Sequence, residues 1–232
     1  MRLDKLLANK AYGSRKEVHQ IIKDRRVTIN GEITTKKDTH IDIDIDTVAV
    51  DGQTVNTTQL YYVKFHKPKG YVTAVEDSTH PIVMDLLPPE YLKMGVVPVG
   101  RLDKDTEGLL LLTNDGVWGH SIINGHKHVP KVYYVEFEGE LSEEGIQRIK
   151  EGIVLGDKTQ CKPALIELLS DQSATITIEE GKYHQVKRMI GAAGGSVTYL
   201  KRLTIGHVDL SGIEEVGSVM DLTIDEVEGF KK

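Results

Sequence analysis

The chain has 232 residues, 39% hydrophobic and 28% charged, which is enough to build a real core in one large domain or two unequal ones. A single cysteine, Cys161, excludes an intrachain disulfide and a cysteine-based zinc site, and no uninterrupted apolar stretch reaches membrane length. These features read as a soluble, cytoplasmic protein without a membrane partner, and the formal net charge of −6 argues against nucleic acid until its distribution is considered.

Residues 1 to 37 hold ten Lys or Arg against four acids, a net of +6, whereas residues 38 to 51 hold five aspartates and no Lys or Arg. A basic module is attached to an acidic body. Leu3, Leu6 and Leu7 predict a first helix. Ser14-Arg15-Lys16-Glu17 has capping-box spacing and predicts a second, with Val18, Ile21 and Ile22 inward and Arg15, Lys16 and Lys23 off the stripe. Asn30-Gly31, flanked by Val27-Thr28-Ile29 and Glu32-Ile33-Thr34, predicts a hairpin. Ile41 to Asp46 alternates and predicts a strand with isoleucines inward and aspartates facing away from any RNA; a calcium loop is disfavoured by Thr47 where an EF-hand needs glycine. The polar run from Gln53 reads as a linker, giving domains at 1–52 and 61–232 joined by 53–60.

In the larger domain, strands are predicted at 61–66, 109–113, 132–138, 174–179 and 197–204, with a helix at 142–151 that carries Glu143 and Glu144 in its first turn. Strands and helices do not alternate strictly, so the class is α+β: a mixed, mainly antiparallel sheet flanked by helices, after a small α/β module. A further helix starts near His184. Its apolar stripe is Val186, Met189, Ile190 and Ala193, and Gly194-Gly195 ends it. Lys187 and Arg188 lie off that stripe, near an N-terminus whose dipole gives cations nothing, so they are either a solvated face or partners of a counter-charge elsewhere.

Gly100-Arg101-Leu102-Asp103-Lys104-Asp105-Thr106-Glu107-Gly108 runs into four leucines and Thr113-Asn114-Asp115-Gly116. Leu109 to Leu112 read as a fully buried strand between turns, which puts Asp103 in the loop leading into the core. On these residues alone, Arg101 and Asp103 are either a loop ion pair or a reactive carboxylate mounted beside a rigid strand. Tyr133 and Tyr134 point to opposite faces of one strand, one to the core and one to a cleft. Lys67-Pro68-Lys69-Gly70 reads as a turn whose two cations either grip phosphate or belong to a plain loop. His120, His126 and His128 lack interleaved carboxylates or cysteines, so a metal site is disfavoured. No Walker loop or dinucleotide fingerprint is present.

His66 to Gly70, Gly100 to Gly116, Lys131-Val132-Tyr133-Tyr134-Val135 and Glu180 to Met189, in this order and spacing, resemble the ribosomal small-subunit branch of the bacterial pseudouridine synthases, and residues 1 to about 50 resemble an S4 RNA-binding domain. The resemblance implies isomerisation of a uridine in RNA to pseudouridine, without a cofactor or metal. It implies that Asp103 is the essential aspartate, acting covalently or as a base at the ribose, and that Tyr133 stacks on the target base. Lys187 corresponds to the basic partner of that aspartate, and Arg101 to the residue that holds the duplex open around the flipped uridine. Arg2, Lys5, Ser14, Arg15, Lys16, Lys23, Arg25 and Arg26 in the module, with Lys67, Lys69 and Arg188 in the body, are the RNA contacts it suggests. Tyr183-His184 ahead of Gln185-Val186-Lys187 is similar to the small-subunit branch. The implied target is therefore 16S rRNA at uridine 516, within a partly assembled small subunit, and the protein acts as a monomer. Tyr134 stands where the family often has leucine. A large-subunit enzyme, a non-catalytic ribosome-assembly factor and a metal-dependent nuclease are the rival readings.

Overall fold

The computed structural model describes residues 1–232 except Ala11, Asp44, Asn56, Thr58, Gly125, His126, Lys127 and Lys232. The chain divides into two compact units, Met1–Gln59 and Leu60–Lys232. Among the described residues no helix is long and apolar enough to cross a membrane.

The first unit comprises α1 (Leu3–Asn9), α2 (Arg15–Lys23), β1 (Val27–Ile29), β2 (Glu32–Ile33), β3 (Val48–Val50) and β4 (Gln53–Thr54). Ser14 caps α2 as its spacing predicts: its hydroxyl accepts from the Glu17 amide at 3.4 Å, and the Glu17 carboxylate accepts from the Ser14 amide at 2.7 Å. The leucines of α1, Val18 and Ile22 of α2, and Val27, Val48 and Val50 of the sheet form one core. The Asn30-Gly31 hairpin is present, in a sheet ordered β2-β1-β3-β4.

Two expectations fail here. The Ile41–Asp46 segment is a turn, not a strand. The Asp46 carboxylate accepts from the Asp42 amide and the Asn30 side chain, both at 2.8 Å, and Ile45 is exposed, because short acidic side chains satisfy local backbone donors in place of a ladder. Asp44 lies outside the described residues. The expected linker also begins too early, since β4 pairs with β3 and Val55 is buried in the first unit's core.

The second unit comprises β5 (Tyr62–Lys67), α3 (Pro89–Lys93), β6 (Val97–Val99), β7 (Glu107–Thr113), α4 (Gly116–Ile123), β8 (Lys131–Gly139), α5 (Glu143–Glu151), β9 (Leu165–Ser170), β10 (Ser173–Ile178), α6 (Gln185–Ala192), β11 (Gly195–Ile205), β12 (Val219–Asp221) and α7 (Ile224–Glu228). Its sheet runs β12-β5-β7-β11-β8-β10-β9, with β6 also on β7. β11 is parallel to β7 and the other ladders are antiparallel, the mixed α+β architecture expected from the sequence.

β7 explains its run of leucines. Leu110 and Leu112 enter the core shared with Phe65, Val135, Phe137, Met189 and Ile190, while Leu109 and Leu111 enter a second core with Trp118, Ile122 and Phe230. A strand covered on both faces needs no polar alternation. The loop ahead of it enters the sheet through Gly108, at φ +112°, where a Cβ would overlap the Arg202 carbonyl oxygen. α6 has the expected stripe, with Val186, Met189, Ile190 and Ala193 buried.

Candidate active site

The loop 100–106, the start of α6 and the facing strands β8 and β11 enclose a cleft of about 700 Å³. Arg101, Asp103, Lys104, Lys131, Tyr133, His184 and Arg202 are among the residues that line it. The cleft therefore unites Arg101 and Asp103 of one loop with Tyr133 of a strand 30 residues further on, and Lys187 reaches it through Asp103.

Asp103 is partly exposed and is flanked by two cationic or ionisable groups from the α6 end. Lys187 Nζ stands 3.3 Å from one carboxylate oxygen and His184 Nε2 stands 3.5 Å from the other. Lys187 also donates to Asp105 at 2.5 Å, so its counter-charge is divided between two aspartates of the same loop. Burial acts to raise the Asp105 carboxyl, but the hydrogen bond and charge of Lys187 outweigh it and hold Asp105 below the ordinary carboxylate range. His184 sits at the N-terminal boundary of α6 in the left-handed region, φ 48°, with its ring stacked on Tyr183 at 3.9 Å. Nothing in the sequence pattern marked it as a neighbour of Asp103.

The loop is built around Lys67. This side chain is fully buried, and its ammonium donates to the carbonyls of Thr106 (2.8 Å), Pro68 (2.9 Å), Asp103 (3.1 Å) and Lys104 (3.4 Å). The expectation that Lys67 grips phosphate is therefore corrected: it sits at the last position of β5, under the loop, where RNA cannot reach it. Burial pushes its pKa down to about 8, against the opposing pull of Asp105 and Asp103. Lys69 is exposed, with its ammonium 4.1 Å from the centre of the Tyr199 ring.

Tyr133 faces the cleft from β8, nearly buried, and its hydroxyl lies 3.4 Å from Nη1 of Arg202. Tyr134 points the other way and donates to Glu136. Arg101 is exposed at the rim. Arg188 is engaged at the surface with Asp157 at 2.5 Å and the Tyr183 carbonyl at 3.3 Å, and this pairing, first among its causes, holds the Asp157 carboxyl far below its ordinary range. The expected RNA contact at Arg188 thus competes with a formed ion pair. His128 is near Glu179 (3.2 Å) and Lys162 (2.9 Å); His126 lies outside the described residues.

In the first unit, Arg2, Lys5 and Arg15 line one depression together with Asp4 and His19, and Arg2 is paired there with the Asp4 carboxylate. Lys16, Lys23 and Arg25 are exposed elsewhere on that unit, Arg26 is paired with Asp51, and the Ser14 hydroxyl is taken up by the α2 cap. Arg202 and Lys131, like His184, are cleft residues that the sequence pattern did not mark. The signal available for Lys131 was its i, i+2 spacing to Tyr133, which places both on one face of a strand.

A carboxylate held beside a lysine and a histidine at the mouth of a pocket with an aromatic wall can attack or deprotonate a sugar while a planar base stacks opposite. Residues 61–192 match the family model for RNA pseudouridylate synthase and residues 1–44 match that for the S4 domain. The chain belongs to the RNA pseudouridylate synthases, a family of isomerases, and carries an N-terminal S4 domain. It is 44% identical over 231 residues to an RNA pseudouridine synthase of Bacillus subtilis (strain 168), covering 98% of this chain and 97% of that protein. It is 36% identical to the ribosomal small subunit pseudouridine synthase A of Escherichia coli (strain K12), covering 98% of each. A crystal structure of a pseudouridylate synthase, 35% identical, superposes with a TM-score of 0.69 over 99% of both chains.

Proposed function

We propose that this enzyme converts one uridine of 16S rRNA, uridine 516, to pseudouridine during maturation of the small ribosomal subunit, acting in the cytoplasm as a monomer. The observation that carries the chemistry is Asp103, fixed between Lys187 and His184 at the mouth of the cleft that Tyr133 walls. Asp103 reacts at the ribose, as a nucleophile at C1′ or a base at C2′. Lys187 aims and electrostatically supports it, Tyr133 stacks on the flipped uracil, and Arg101 at the rim holds the opened RNA. The first unit anchors the substrate through Arg2, Lys5 and Arg15, with Lys16, Lys23, Arg25 and Arg26 on its outer faces. The RNA target is supported by the likeness over nearly full length to small-subunit enzymes such as that of Escherichia coli.

The test incubates the protein with unmodified 16S rRNA, alone and with small-subunit ribosomal proteins, and with 23S rRNA, without added metal or nucleotide, and then maps pseudouridine chemically. Modification at uridine 516 is expected. Modification confined to 23S rRNA would move the enzyme to the large-subunit branch. Asp103→Asn should abolish product while leaving RNA affinity nearly unchanged, because the phosphate contacts remain. Turnover by that variant near the wild-type rate would remove Asp103 from the chemistry.

A further inference from the structure

Two cations in the wall of the cleft form no ion pair among the described residues. They are Lys131 and Arg202, 8% and 3% exposed. Strand register places Arg202 opposite Tyr133, and Lys131 is two residues from Tyr133 on the same face of β8. The Arg202 guanidinium donates through Nε to the Leu109 carbonyl at 2.8 Å and through Nη1 to the Tyr133 hydroxyl at 3.4 Å. Its Nη2 is buried and has no hydrogen-bond partner among the described residues.

A buried charged donor left unpaired is costly, and arginine cannot relieve the cost by losing its proton. Lys131 can: burial first, and then the charge of Arg202, push its pKa down to about 8. In the wall of a reaction cleft, such a donor is free for an acceptor that arrives with the substrate. The exposed cations Arg101 and Lys104 at the rim suit phosphate. Arg202 instead lies against the hydroxyl of the ring on which the base stacks.

We infer that Arg202 is a further catalytic residue, whose Nη2 donates to a carbonyl oxygen of the stacked uracil and stabilises the negative charge that forms on the base as it leaves the ribose. This rests on the reading of the Asp103 cleft as the active site. The C1′–N1 bond breaks with its electron pair passing to the base, where the charge spreads over N1, O2 and O4. Either C1′ bonds to an Asp103 oxygen that C5 later displaces, or C2′ loses its proton to that carboxylate, its electron pair forming a C1′–C2′ double bond, and regains the proton when C5 bonds to C1′. The base turns, C5 bonds to C1′, C5 gives up its proton and N1 gains one. Both routes open with the same base anion, so the donor serves either.

The experiment compares single-turnover rates on RNA carrying uridine or 5-fluorouridine at the target, since fluorine acidifies the base and makes it a better leaving group. Arg202→Gln should slow uridine consumption by about 100-fold and 5-fluorouridine consumption by only about 10-fold. Arg202→Lys, which keeps the charge but not the second donor arm, should show the same asymmetry with smaller losses, and it serves if the glutamine variant does not fold. An equal loss on both RNAs would mean that Arg202 only holds Tyr133 and the sheet, and a wild-type rate would mean that it does nothing in the reaction; either result overturns the inference. Asp103→Asn is run in parallel: if it stays active, the site reading itself fails, whereas an inactive Asp103→Asn with no asymmetry at Arg202 removes only the role of Arg202.

Discussion

The Lys67 ammonium donates to the main-chain carbonyl of Asp103 at 3.1 Å, so the residue that shapes the reactive loop comes from a strand 36 positions earlier and never touches the cleft surface. The same ammonium holds the carbonyls of Pro68, Lys104 and Thr106, and the turn presenting the carboxylate is wound around one buried cation. Lys67→Met would leave the carbonyls of Pro68 and Thr106 without this donor, while those of Asp103 and Lys104 would keep only the amides of Thr106 and Gly70. A loss of about 2–4 kcal/mol in urea unfolding is expected, with a fall in kcat larger than the rise in KM because Asp103 is misplaced. A variant with the wild-type rate would show that the turn holds itself.

Lys187→Met keeps most of the aliphatic length and removes the charge that faces Asp103 and Asp105. Single-turnover rate should drop by roughly 100-fold with RNA affinity nearly intact, and Lys187→Arg should recover part of it. Loss of affinity in proportion to rate would make Lys187 a phosphate contact instead.

The depressed pKa of Lys131, about 8, has a thermodynamic consequence. Between pH 8 and its ordinary value of about 10.4 the unfolded chain binds the proton and the folded chain does not, so this residue makes wild-type stability rise with pH across that window. Below pH 8 the buried ammonium weighs fully against the fold. Lys131→Met should therefore be more stable relative to wild type at pH 7 than at pH 10, by on the order of 2–3 kcal/mol in paired denaturant titrations. A difference independent of pH would contradict the burial of a protonated amine.

Gly108→Ala places a methyl group against the Arg202 carbonyl and forces an L residue to φ +112°. The change strikes the β7–β11 contact directly beneath the reactive loop. We expect a loss of at least ~2 kcal/mol, visible as a lowered melting temperature, whereas Gly116→Ala, which meets no atom within 4 Å, should leave stability almost unchanged.

Replacing Arg2, Lys5 and Arg15 together by Gln removes the cationic lining of the depression in the first unit. Affinity for RNA should fall and the slope of log K against log salt should flatten by roughly 2–3, since fewer counterions are released. Turnover of RNA already bound should persist. An unchanged salt slope would move the anchor to the other exposed cations of that unit.

Local pattern made several elements legible. The Ser14 capping box, the Asn30-Gly31 hairpin, the four-leucine strand and the α6 stripe each arise from interactions within a few residues or from a single periodic face, and each is found where the sequence places it. The same logic misled at Ile41–Asp46, where alternation mimicked a strand but the Asp46 carboxylate captured the Asp42 and Asn30 amides.

The sequence by itself determined that a basic module precedes an α+β body, that the Asp103 loop leads into a buried strand, and that Lys187 lies off its helix's core face. Only the tertiary structure decided what those residues meet. Lys67 is a buried clamp instead of a phosphate grip, His184 stands beside Asp103, Arg188 is already paired with Asp157, and Arg202 reaches Tyr133 across the β8–β11 ladder. The reason is physical: helix periodicity and caps are short-range, whereas burial, desolvation and the partner of a charge depend on which distant strands are brought side by side.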